Sequence, residues 1–432
     1  MHRIDIRLDQ ITKIEGDAAM DVVVEDGKVT NVKFAIVEYK RFFTTAMKGK
    51  NIAAIPAHLA RICGTCSNAH VMAAIGACEN ALGIKVTPQT DLLRKLTMHG
   101  LMIRDHALHL YLFVMPDLYG KDAFLDFDEN DPVQHELLHD GFSVKAAGNH
   151  LAQLVAGRSV HANLPVIGGF LQFPTVKASV EVVEELKAVR EAVLRLIDIF
   201  MKAPFHLDRK TKYMALVQDD SFGYLGGKII TDHGEVYEQK DFRSHLEHVV
   251  LPYSQASAYT YKGESYMVGA LARVNLAKDK LHPDTKESAA EALKLFPSTD
   301  IYHNNLAQAI EILHSVDESI DILSNKTFNQ EPIIKVPMKA GIGIGVIEAP
   351  RGTLFHKVVI DDNGIVLDGE VIVPTGQNQV NIERDVGVLV ERLVAENMPE
   401  AKINPEIEKL IRAYDPCMSC GAHFLRVNWK RK

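Results

Sequence analysis

Two Cys-x-x-Cys pairs near opposite ends of the chain most constrain how this sequence can fold. The first pair lies in RICGTCSNAH and the second in DPCMSCGAH, which places cysteines at Cys63, Cys66, Cys417 and Cys420. A Cys-x-x-Cys pair on a tight turn directs two sulfurs at one metal ion, and two such pairs form a four-thiolate site. Either the two pairs meet in space, or each pair has its own separate role.

The spacing of the cysteines leaves three interpretations open. A structural zinc module normally places its second pair about 15–20 residues after the first, whereas most of this chain separates the pairs. A redox dithiol of the thioredoxin kind belongs to a βαβ unit, and no such pattern surrounds either pair. The third interpretation is a functional centre built on a soft metal. Cys78, within VMAAIGACENAL, is expected to be a small buried residue.

Composition excludes several classes of function. The chain has 432 residues, of which 47% are hydrophobic, so it can bury a large core as two to three domains or one intertwined unit. Its net charge of −8 provides no basic surface for nucleic acid, and we expect no nucleic-acid partner. Five cysteines, an odd number, are not typical of a secreted disulfide framework, so reduced thiols are expected.

Neither a secretion signal nor a transmembrane segment is expected. The first residues, MHRIDIRLDQITKIEGD, lack an apolar stretch and a small-residue cleavage site. The longest apolar run, LMIRDHALHLYLFVMP, is interrupted by charged and histidine side chains, which are costly in a bilayer. We therefore expect a cytoplasmic protein, with any membrane association provided by partner subunits.

Hydrophobic periodicity predicts a helix-dominated α+β protein with small β units near each end. Hairpins are expected at residues 20–36, with Asp26-Gly27 in the turn, and at 352–374, where Asn363-Gly364 suits a type I′ turn. The first long helix is expected to be capped by Thr90 or Asp91 and to end before Pro116. The expected long helices cover residues 90–115, 135–157, 176–201, 304–323 and 381–396.

Together, the two cysteine segments resemble the signatures of the large, catalytic subunit of nickel-iron hydrogenases. Four further segments match blocks of that family in the same order: TKIEGDAAM, AGRSVHANLPVIGGF, EAPRGTLFH and VPTGQN. The resemblance covers most of the chain and implies the family fold, a central bundle of long helices with small mixed α/β parts around it. It also implies a single intertwined domain over residues 1–432.

The resemblance implies which residues hold the metals. All four cysteines of the two pairs would bind nickel, and Cys66 and Cys420 would also bridge to an iron that carries cyanide and carbon monoxide. Soft, strongly donating thiolates suit such a bimetallic site. Arg351 would stand over the open face between the metals, because a guanidinium keeps its charge and offers fixed donors. Without the surrounding block, Arg351 would be interpreted as a surface partner of Glu348.

Further site residues also follow from the resemblance. Asp105 and Asp415 would orient the arginine, although an aspartate within a helix is commonly solvated. Thr375 would hydrogen-bond a cyanide, with Pro374 and Pro350 packing the pocket.

Glu15 matches the glutamate that relays protons between a nickel-bound cysteine and solvent, a role suited to a partly buried carboxyl group. On its own, Glu15 before Gly16 is an ordinary strand-to-turn residue. His70 and His161 match family positions and are expected to form hydrogen bonds near the site or a partner interface. The helical set of His99, His106 and His109 is expected to pack in the core or at an interface instead of binding a metal.

Several residues depart from the family pattern. Asp17 stands where a histidine is usual, and Ala162 and Asn163 follow His161 where the family has a proline-containing segment. Thr44 replaces a glutamate that normally helps to bind magnesium or iron near the C-terminus. This second metal site is therefore in doubt, although His423 is a suitable ligand for it.

The resemblance also implies partners. Five cysteines cannot hold both the metal centre and an iron-sulfur cluster, so an iron-sulfur small subunit and further electron-acceptor subunits are expected beside the substrate H2. Nickel-insertion factors and a maturation endopeptidase are expected too, the latter removing residues 424–432 after His423. The rival interpretations are a quinone-site subunit like that of respiratory complex I, which lacks the cysteines, and a structural four-thiolate zinc protein.

Overall fold

Long helices occupy the centre of the protein, and small sheets lie around them. The computed structural model describes residues 3–39 and 41–422. In chain order the α-helices are α1 Phe43–Ala46, α2 Ile55–Leu59, α3 Ser67–Leu82, α4 Pro88–Ala107, α5 Met115–Leu118, α6 Pro132–Ala156, α7 Val176–Met201, α8 Ala270–Ala277, α9 Pro283–Ser288, α10 Ala290–Leu293, α11 His303–Asn325, α12 Pro374–Ala395, α13 Glu400–Ala413 and α14 Met418–Gly421. Leu108–Val114 forms a π-helix, and 3-10 helices cover Ile52–Ala54, Ala60–Ile62, Phe124–Asp126, Gln239–His245 and Lys278–Lys280.

Four long helices form the central bundle. Helix α4 packs against α6 and α11, and α7 packs against the same two helices. Their apolar faces provide much of the main core. The predicted helix-dominated α+β fold with a central bundle is confirmed. None of the helices in the described ranges combines the length and apolar character needed to span a bilayer.

The strands form five small sheets within the described residues. In chain order they are β1 Arg3–Leu8, β2 Ala18–Glu25, β3 Lys28–Ile36, β4 Pro165–Val166, β5 Gly169–Phe170, β6 Lys212–Val217, β7 Lys228–Thr231, β8 Val236–Tyr237, β9 Leu246–Val250, β10 Ser257–Tyr261, β11 Tyr266–Met267, β12 Gly341–Ala349, β13 Gly352–Ile360 and β14 Val366–Ile372. The hydrophobic pattern predicts strands only in the two hairpins near the ends of the chain, so it predicts neither β1 and β12 nor the strands β4 to β11 between the hairpins. Many of these strands are too short to show an alternating pattern.

The two predicted hairpins are present, but one turn differs from the prediction. Asp26 and Gly27 both have positive φ, as a type I′ turn between β2 and β3 requires. In the later hairpin only Gly364 has positive φ, so the predicted type I′ turn at Asn363-Gly364 is wrong. The Asp361 carboxylate accepts the N–H groups of Asn363 at 2.9 Å and Ile365 at 2.8 Å, which stabilises a longer loop.

Helix α4 begins earlier than predicted. Thr87 is its N-cap, and the Thr87 hydroxyl accepts the N–H of Thr90 at 3.1 Å. Pro88 follows as the first helical residue, where its missing N–H costs nothing. The predicted caps Thr90 and Asp91 therefore lie inside the first turn.

The far end of α4 continues through the π-helix into α5. Pro116 lies in the first turn of α5 and not beyond the helix end, which corrects the prediction. Within the π-helix, His109 Nδ1 lies 2.6 Å from the side-chain oxygen of Gln308, and Nε2 lies 2.8 Å from the carbonyl oxygen of Arg412. The wider turn thus links α4 to both α11 and α13.

Asp117 of α5 connects two distant parts of the chain. Its carboxylate accepts from Lys13 Nζ at 2.8 Å and from Arg412 at 2.6 and 3.0 Å. Lys13 is two residues before Glu15, and Arg412 is three residues before Asp415. One buried carboxylate therefore fixes both segments that approach the cysteines.

Helix α3 lies directly on strand β12 because the facing positions of the strand have no side chains. A β-carbon at Gly343 would lie 1.8 Å from the carbonyl oxygen of Ala77, and at the two neighbouring facing glycines it would lie 2.3 Å from a carbonyl oxygen of α3. The three facing positions are Gly341, Gly343 and Gly345. Since Cys66 caps α3 and Arg351 follows β12, this contact fixes the first cysteine pair relative to the arginine.

We expect Gly343→Ala to lower the free energy of unfolding by about 1–3 kcal/mol, because its β-carbon must push α3 off the strand. Gly76→Ala is the matched control on the opposite side of the same contact, where the added carbon meets only the Cα of Gly345 at 3.8 Å. Alanine within a helix should instead stabilise by about 0.5–1 kcal/mol. Thermal unfolding of the two variants measures the difference, and equal midpoints would contradict the close contact.

Candidate metal centre

Each cysteine pair lies on a tight turn at the start of a helix. Cys66 is the N-cap of α3, and its N–H donates to Cys63 Sγ over 3.2 Å. Cys417 is the N-cap of α14, and its Sγ lies 3.1 Å from that of Cys420 one turn later. Each turn therefore presents both of its sulfurs on one side.

The two pairs meet in space. Cys63 Sγ lies 3.5 Å from Cys417 Sγ, and Cys66 Sγ lies 3.2 Å from Cys420 Sγ. All four sulfurs lie within 4.8 Å of one another, and all four side chains are buried. These distances exceed the length of about 2.0 Å of a disulfide bond, so no disulfide joins any of the four cysteines. The arrangement matches a single four-thiolate metal site.

Burial and mutual contact give the thiols different acidities. Burial raises the pKa of Cys417 and of Cys420 well above the usual value. Contacts with the other three thiols add to this at Cys417, whereas at Cys420 the contact with Cys417 opposes it. Burial also acts on Cys63, but hydrogen bonds from the other three thiols and the charge of Arg351 bring its pKa well below the usual value. Because a metal binds cysteine as the thiolate, binding of a metal here must release protons from the thiols.

Glu15 lies beside the second cysteine pair. Its Oε2 is 3.1 Å from Cys417 Sγ and accepts the N–H of Ser419 at 3.0 Å, while its carbonyl oxygen accepts the N–H of Met418 at 3.0 Å. Gly16 permits this approach, since it has a φ of 82° and a β-carbon there would lie 2.7 Å from that of Met418. The half-buried carboxyl group of Glu15 thus contacts the Cys417 sulfur, and the two residues that follow Glu15 in the chain, Gly16 and Asp17, are exposed.

Arg351 lies at the tip of the hairpin between β12 and β13 and is buried among carboxylates. Its two terminal nitrogens pair with Asp105 Oδ2 at 2.7 Å and with Asp415 Oδ1 at 2.9 Å. Within the described part of the chain, Arg351 Nε and Asp105 Oδ1 are buried without a hydrogen-bond partner. Buried polar atoms normally have a partner, so these two atoms could form hydrogen bonds to a further group bound at the site.

Glu348 does not pair with Arg351, which corrects the alternative interpretation of that arginine. Its carboxylate instead accepts from Arg273 at 2.8 Å, and Arg273 also pairs with Glu311 at 2.5 and 2.7 Å. Arg273 further donates to the carbonyl oxygen of Pro350 at 2.9 Å. A second buried ion network therefore supports the hairpin tip from behind.

Of the three predicted pocket residues, Thr375 contacts the second cysteine pair. Thr375 Oγ1 accepts the N–H of Cys417 at 2.9 Å, and its hydroxyl hydrogen can still be donated to another acceptor. Pro374 is the first residue of α12 and so precedes this threonine directly. Pro350 immediately precedes Arg351.

The two histidines expected near the site differ in their contacts. His70 Nε2 lies 3.6 Å from Cys420 Sγ, and its Nδ1 lies 3.1 Å from His356 Nε2. The backbone N–H of His161 donates to Ser67 Oγ at 2.9 Å, and His161 has a φ of 56°. His70 thus contacts the cluster directly, and His161 positions the start of α3.

The three histidines of the long helix are buried in the core, as expected. His106 lies 2.8 Å from Glu311, His109 contacts Gln308, and His99 packs against the ring of Tyr224. Among the described residues, they belong to neither of the two groups of side chains with metal-ligand spacing.

The sequence analysis missed two residues that hold the site together. Gln308 donates to Asp415 Oδ2 at 2.9 Å, and Arg41 donates to the carbonyl oxygens of Ile62 at 3.0 Å and Ser419 at 2.7 Å. Gln308 is a polar residue within the apolar face of α11, and this pattern could have indicated a buried hydrogen-bonding role. No sequence pattern marks Arg41, whose partners are backbone atoms.

The predicted second metal site involves Thr44 and His423. Thr44 is buried in α1, with 8% of its surface exposed. His423 lies outside the described residues.

Comparison with known proteins decides among the interpretations. The family model described as nickel-dependent hydrogenase matches residues 41–132 and 231–423, which include all four clustered cysteines, Asp105, Arg351, Thr375 and Asp415.

The chain belongs to the nickel-dependent hydrogenase family.

Relatives of this hydrogenase are similar over almost their whole length. Sulfhydrogenase 2 subunit alpha of Pyrococcus furiosus is 32% identical over 426 residues, which cover 98% of this chain and 100% of the relative. Subunit beta of the NAD-reducing hydrogenase HoxS of Cupriavidus necator is 29% identical over 469 residues, which cover 97% of this chain and 94% of the relative. These relatives are subunits of larger hydrogenases, and this chain is a hydrogenase large subunit.

Solved structures share the fold of the hydrogenase described here. An NAD+-reducing [NiFe]-hydrogenase in the H2-reduced state superposes with a TM-score of 0.82 at 24% identity, covering 98% of this chain and 100% of that one. The Ni-Fe-Se hydrogenase of D. vulgaris Hildenborough gives a TM-score of 0.78 at 21% identity, with the same coverage. The predicted family fold is confirmed.

The four-cysteine cluster of the hydrogenase fits a nickel-iron site. Four buried thiols supply soft donors, and the unpartnered atoms of Arg351 and Asp105 supply polar groups beside them. A structural zinc site would need neither a buried guanidinium nor a carboxyl group at a sulfur. A quinone-site subunit without cysteines is excluded, because all four cysteines are present and converge.

We expect Cys417→Ser to abolish nickel retention and hydrogenase activity, because a hydroxyl group is a poor ligand for a soft metal site. Cys78→Ser is the matched control, since Cys78 is buried outside the cluster and its Sγ lies 3.9 Å from the carbonyl oxygen of Ile52. Metal analysis of both purified variants should find nickel only in the control. Loss of nickel from Cys78→Ser would contradict the ligand assignment.

Proposed function

We propose that the four clustered cysteines bind nickel and that Cys66 and Cys420 also bridge to an iron carrying cyanide and carbon monoxide. The observation that carries this proposal is the convergence of four buried sulfurs beside the charge of Arg351. Cys66 Sγ and Cys420 Sγ, one from each pair, lie 3.2 Å apart, so both sulfurs could bind the same additional ion. When bound, this group would supply the site at which H2 is split into two protons and two electrons.

The chain's own residues carry away the protons that are released when H2 is split. Cys417 Sγ is the proposed first acceptor, and Glu15 Oε2 lies 3.1 Å from it, within hydrogen-bond reach. The N–H of Ser419 holds the same carboxylate oxygen in place. Since Gly16 and Asp17 are exposed, rotation of the half-buried Glu15 side chain can deliver the proton to solvent. The same path in reverse supplies protons for H2 formation.

Arg351 has a positioning and electrostatic role. Asp105 and Asp415 hold its guanidinium from two sides, and Gln308 holds Asp415 in turn. A guanidinium fixed in this way can direct its remaining N–H groups at cyanide and at the open face of the centre without reorganising. Thr375 is proposed to donate its hydroxyl hydrogen to the second cyanide.

Electrons must leave through another subunit. Four of the five cysteines form the metal cluster, and Cys78 is buried apart from it. An iron-sulfur cluster normally requires four cysteine ligands, so this chain cannot supply one. We therefore propose an iron-sulfur small subunit as the immediate electron acceptor, with further acceptor subunits beyond it.

The buried position of Ala422 and the basic residues after His423 support a proposal about maturation of the chain. Arg41 N–H donates to the carbonyl oxygen of Ala422 at 3.0 Å, and Ala422 is fully buried. Residues 424–432 include four basic side chains, which would be costly beside a buried metal centre. We propose that an endopeptidase removes this tail after nickel insertion and that residues 1–423 act as one intertwined domain.

Infrared spectroscopy of the purified complex with its native partners tests the proposed centre. We expect absorption bands in the region of metal-bound carbon monoxide and cyanide, together with one nickel per chain by metal analysis. A fully matured, metal-loaded sample without such bands would contradict the proposed iron ligands.

Glu15→Gln should retain both metals but slow the exchange of D2 gas with water by about 10²–10⁴-fold, because an amide cannot carry the proton. The amide oxygen can still accept the N–H of Ser419, so the local structure should persist. Glu25→Gln in β2 is the control, because the Glu25 carboxylate pairs with the surface residue Arg3 at 3.3 Å. Unchanged exchange in Glu15→Gln would remove Glu15 from the proton path.

A further inference from the structure

A second group of side chains with metal-ligand spacing lies away from the cysteines. His206, Asp300 and His303 place their donor atoms within 4.8 Å of one another. His206 Nδ1 is 2.8 Å and His303 Nε2 is 3.9 Å from the same carboxylate oxygen, Asp300 Oδ2. Two imidazole nitrogens and one carboxylate oxygen therefore converge on one point.

The backbone holds Asp300 in this position. Its other oxygen, Oδ1, accepts the N–H groups of Leu207 and Tyr302, both at 3.0 Å. An antiparallel bridge pairs Asp300 with Asp208, so the segment after α7 and the segment before α11 are joined at this point. Because Oδ1 is used in this way, Oδ2 is the oxygen that faces both imidazoles.

His303 is oriented by a neighbour outside the group. Its Nδ1 lies 2.7 Å from Ser298 Oγ, and that hydroxyl also accepts the N–H of Asp300 at 3.1 Å. Such a contact on one ring nitrogen, which leaves the other for the metal, is the usual support of a histidine ligand. Here it is Nε2 of His303 that faces His206 and Asp300.

The group is open to solvent on one side and anchored on the other. The side chain of His206 is 62% exposed, whereas that of Asp300 is 4% exposed. An ion can therefore enter past His206, and water can complete its coordination. Asp208 lies opposite Asp300 in the bridge and adds a further negative charge at this edge.

We propose that His206, Asp300 and His303 form a binding site for a borderline divalent cation such as Zn²⁺. Two imidazoles and one carboxylate suit such an ion, whereas magnesium and calcium prefer oxygen ligands alone. The site joins the segment after α7 to the first residue of α11, the helix whose Gln308 holds Asp415. The bound ion has a structural role, and this proposal does not depend on the identity of the metals at the cysteines.

Zinc retention by the purified complex tests the proposal. The complex is washed with EDTA, incubated with Zn²⁺ alone, freed of excess metal and analysed for zinc, nickel and iron. We expect the parent complex to retain one more zinc per large subunit than His206→Asn, a variant at an exposed position. Ser298→Ala should weaken zinc binding about tenfold by releasing His303.

Two controls identify the position of the zinc. His150→Asn removes a surface imidazole that contacts the carboxylate of Glu185 at 2.5 Å, and this variant should retain zinc like the parent. X-ray absorption at the zinc edge should show nitrogen and oxygen neighbours, while sulfur neighbours would indicate zinc at the cysteines. Equal zinc in the parent and His206→Asn, equal loss in His150→Asn, or sulfur neighbours would each overturn the proposal.

Discussion

The contact between Glu15 and the turn Cys417–Ser419 joins the first and last parts of the chain and holds the second cysteine pair in place. Both the carbonyl oxygen and the carboxylate of Glu15 accept N–H groups of that turn. Arg41 adds hydrogen bonds from the same early part of the chain to Ser419 and Ala422. The entropy cost of closing a loop grows only slowly with the length of the loop. The packed helical core between the two ends of the chain keeps the four sulfurs close together.

Charge balance is the second constraint on the site. A buried guanidinium is costly unless it is paired, and Arg351 meets this requirement with Asp105 from α4 and Asp415 from the last loop. Behind it, Arg273 neutralises two further buried glutamates and holds the backbone of the same hairpin tip. The arginine over the centre is therefore positioned by ion pairs on both sides of the hairpin, and little freedom remains for it to move.

The sequence carried enough information for the family fold and for the convergence of the cysteines, because the blocks occur in a fixed order and the long helices have strong apolar periodicity. It could not specify features that depend on distant partners. The loop at Asn363 departs from the preferred turn because the Asp361 side chain captures two backbone N–H groups. Gln308 and Arg273 are ordinary polar residues until the fold brings Asp415 and Glu348 to them. The short middle strands are likewise stabilised by neighbours that are remote in sequence.

The π-helix Leu108–Val114 also determines what the side chains within it can reach. A π-helical turn takes up one residue more than an α-helical turn, so loss of one residue here would restore regular helix and leave the residues after it in nearly the same place. Asp117 would then still reach Lys13 and Arg412. The side chains inside the wider turn would change position instead, and His109 would lose its contacts with Gln308 of α11 and with the carbonyl oxygen of Arg412 in α13. The extra residue is therefore needed for the contacts between helices, and the helix could remain continuous without it.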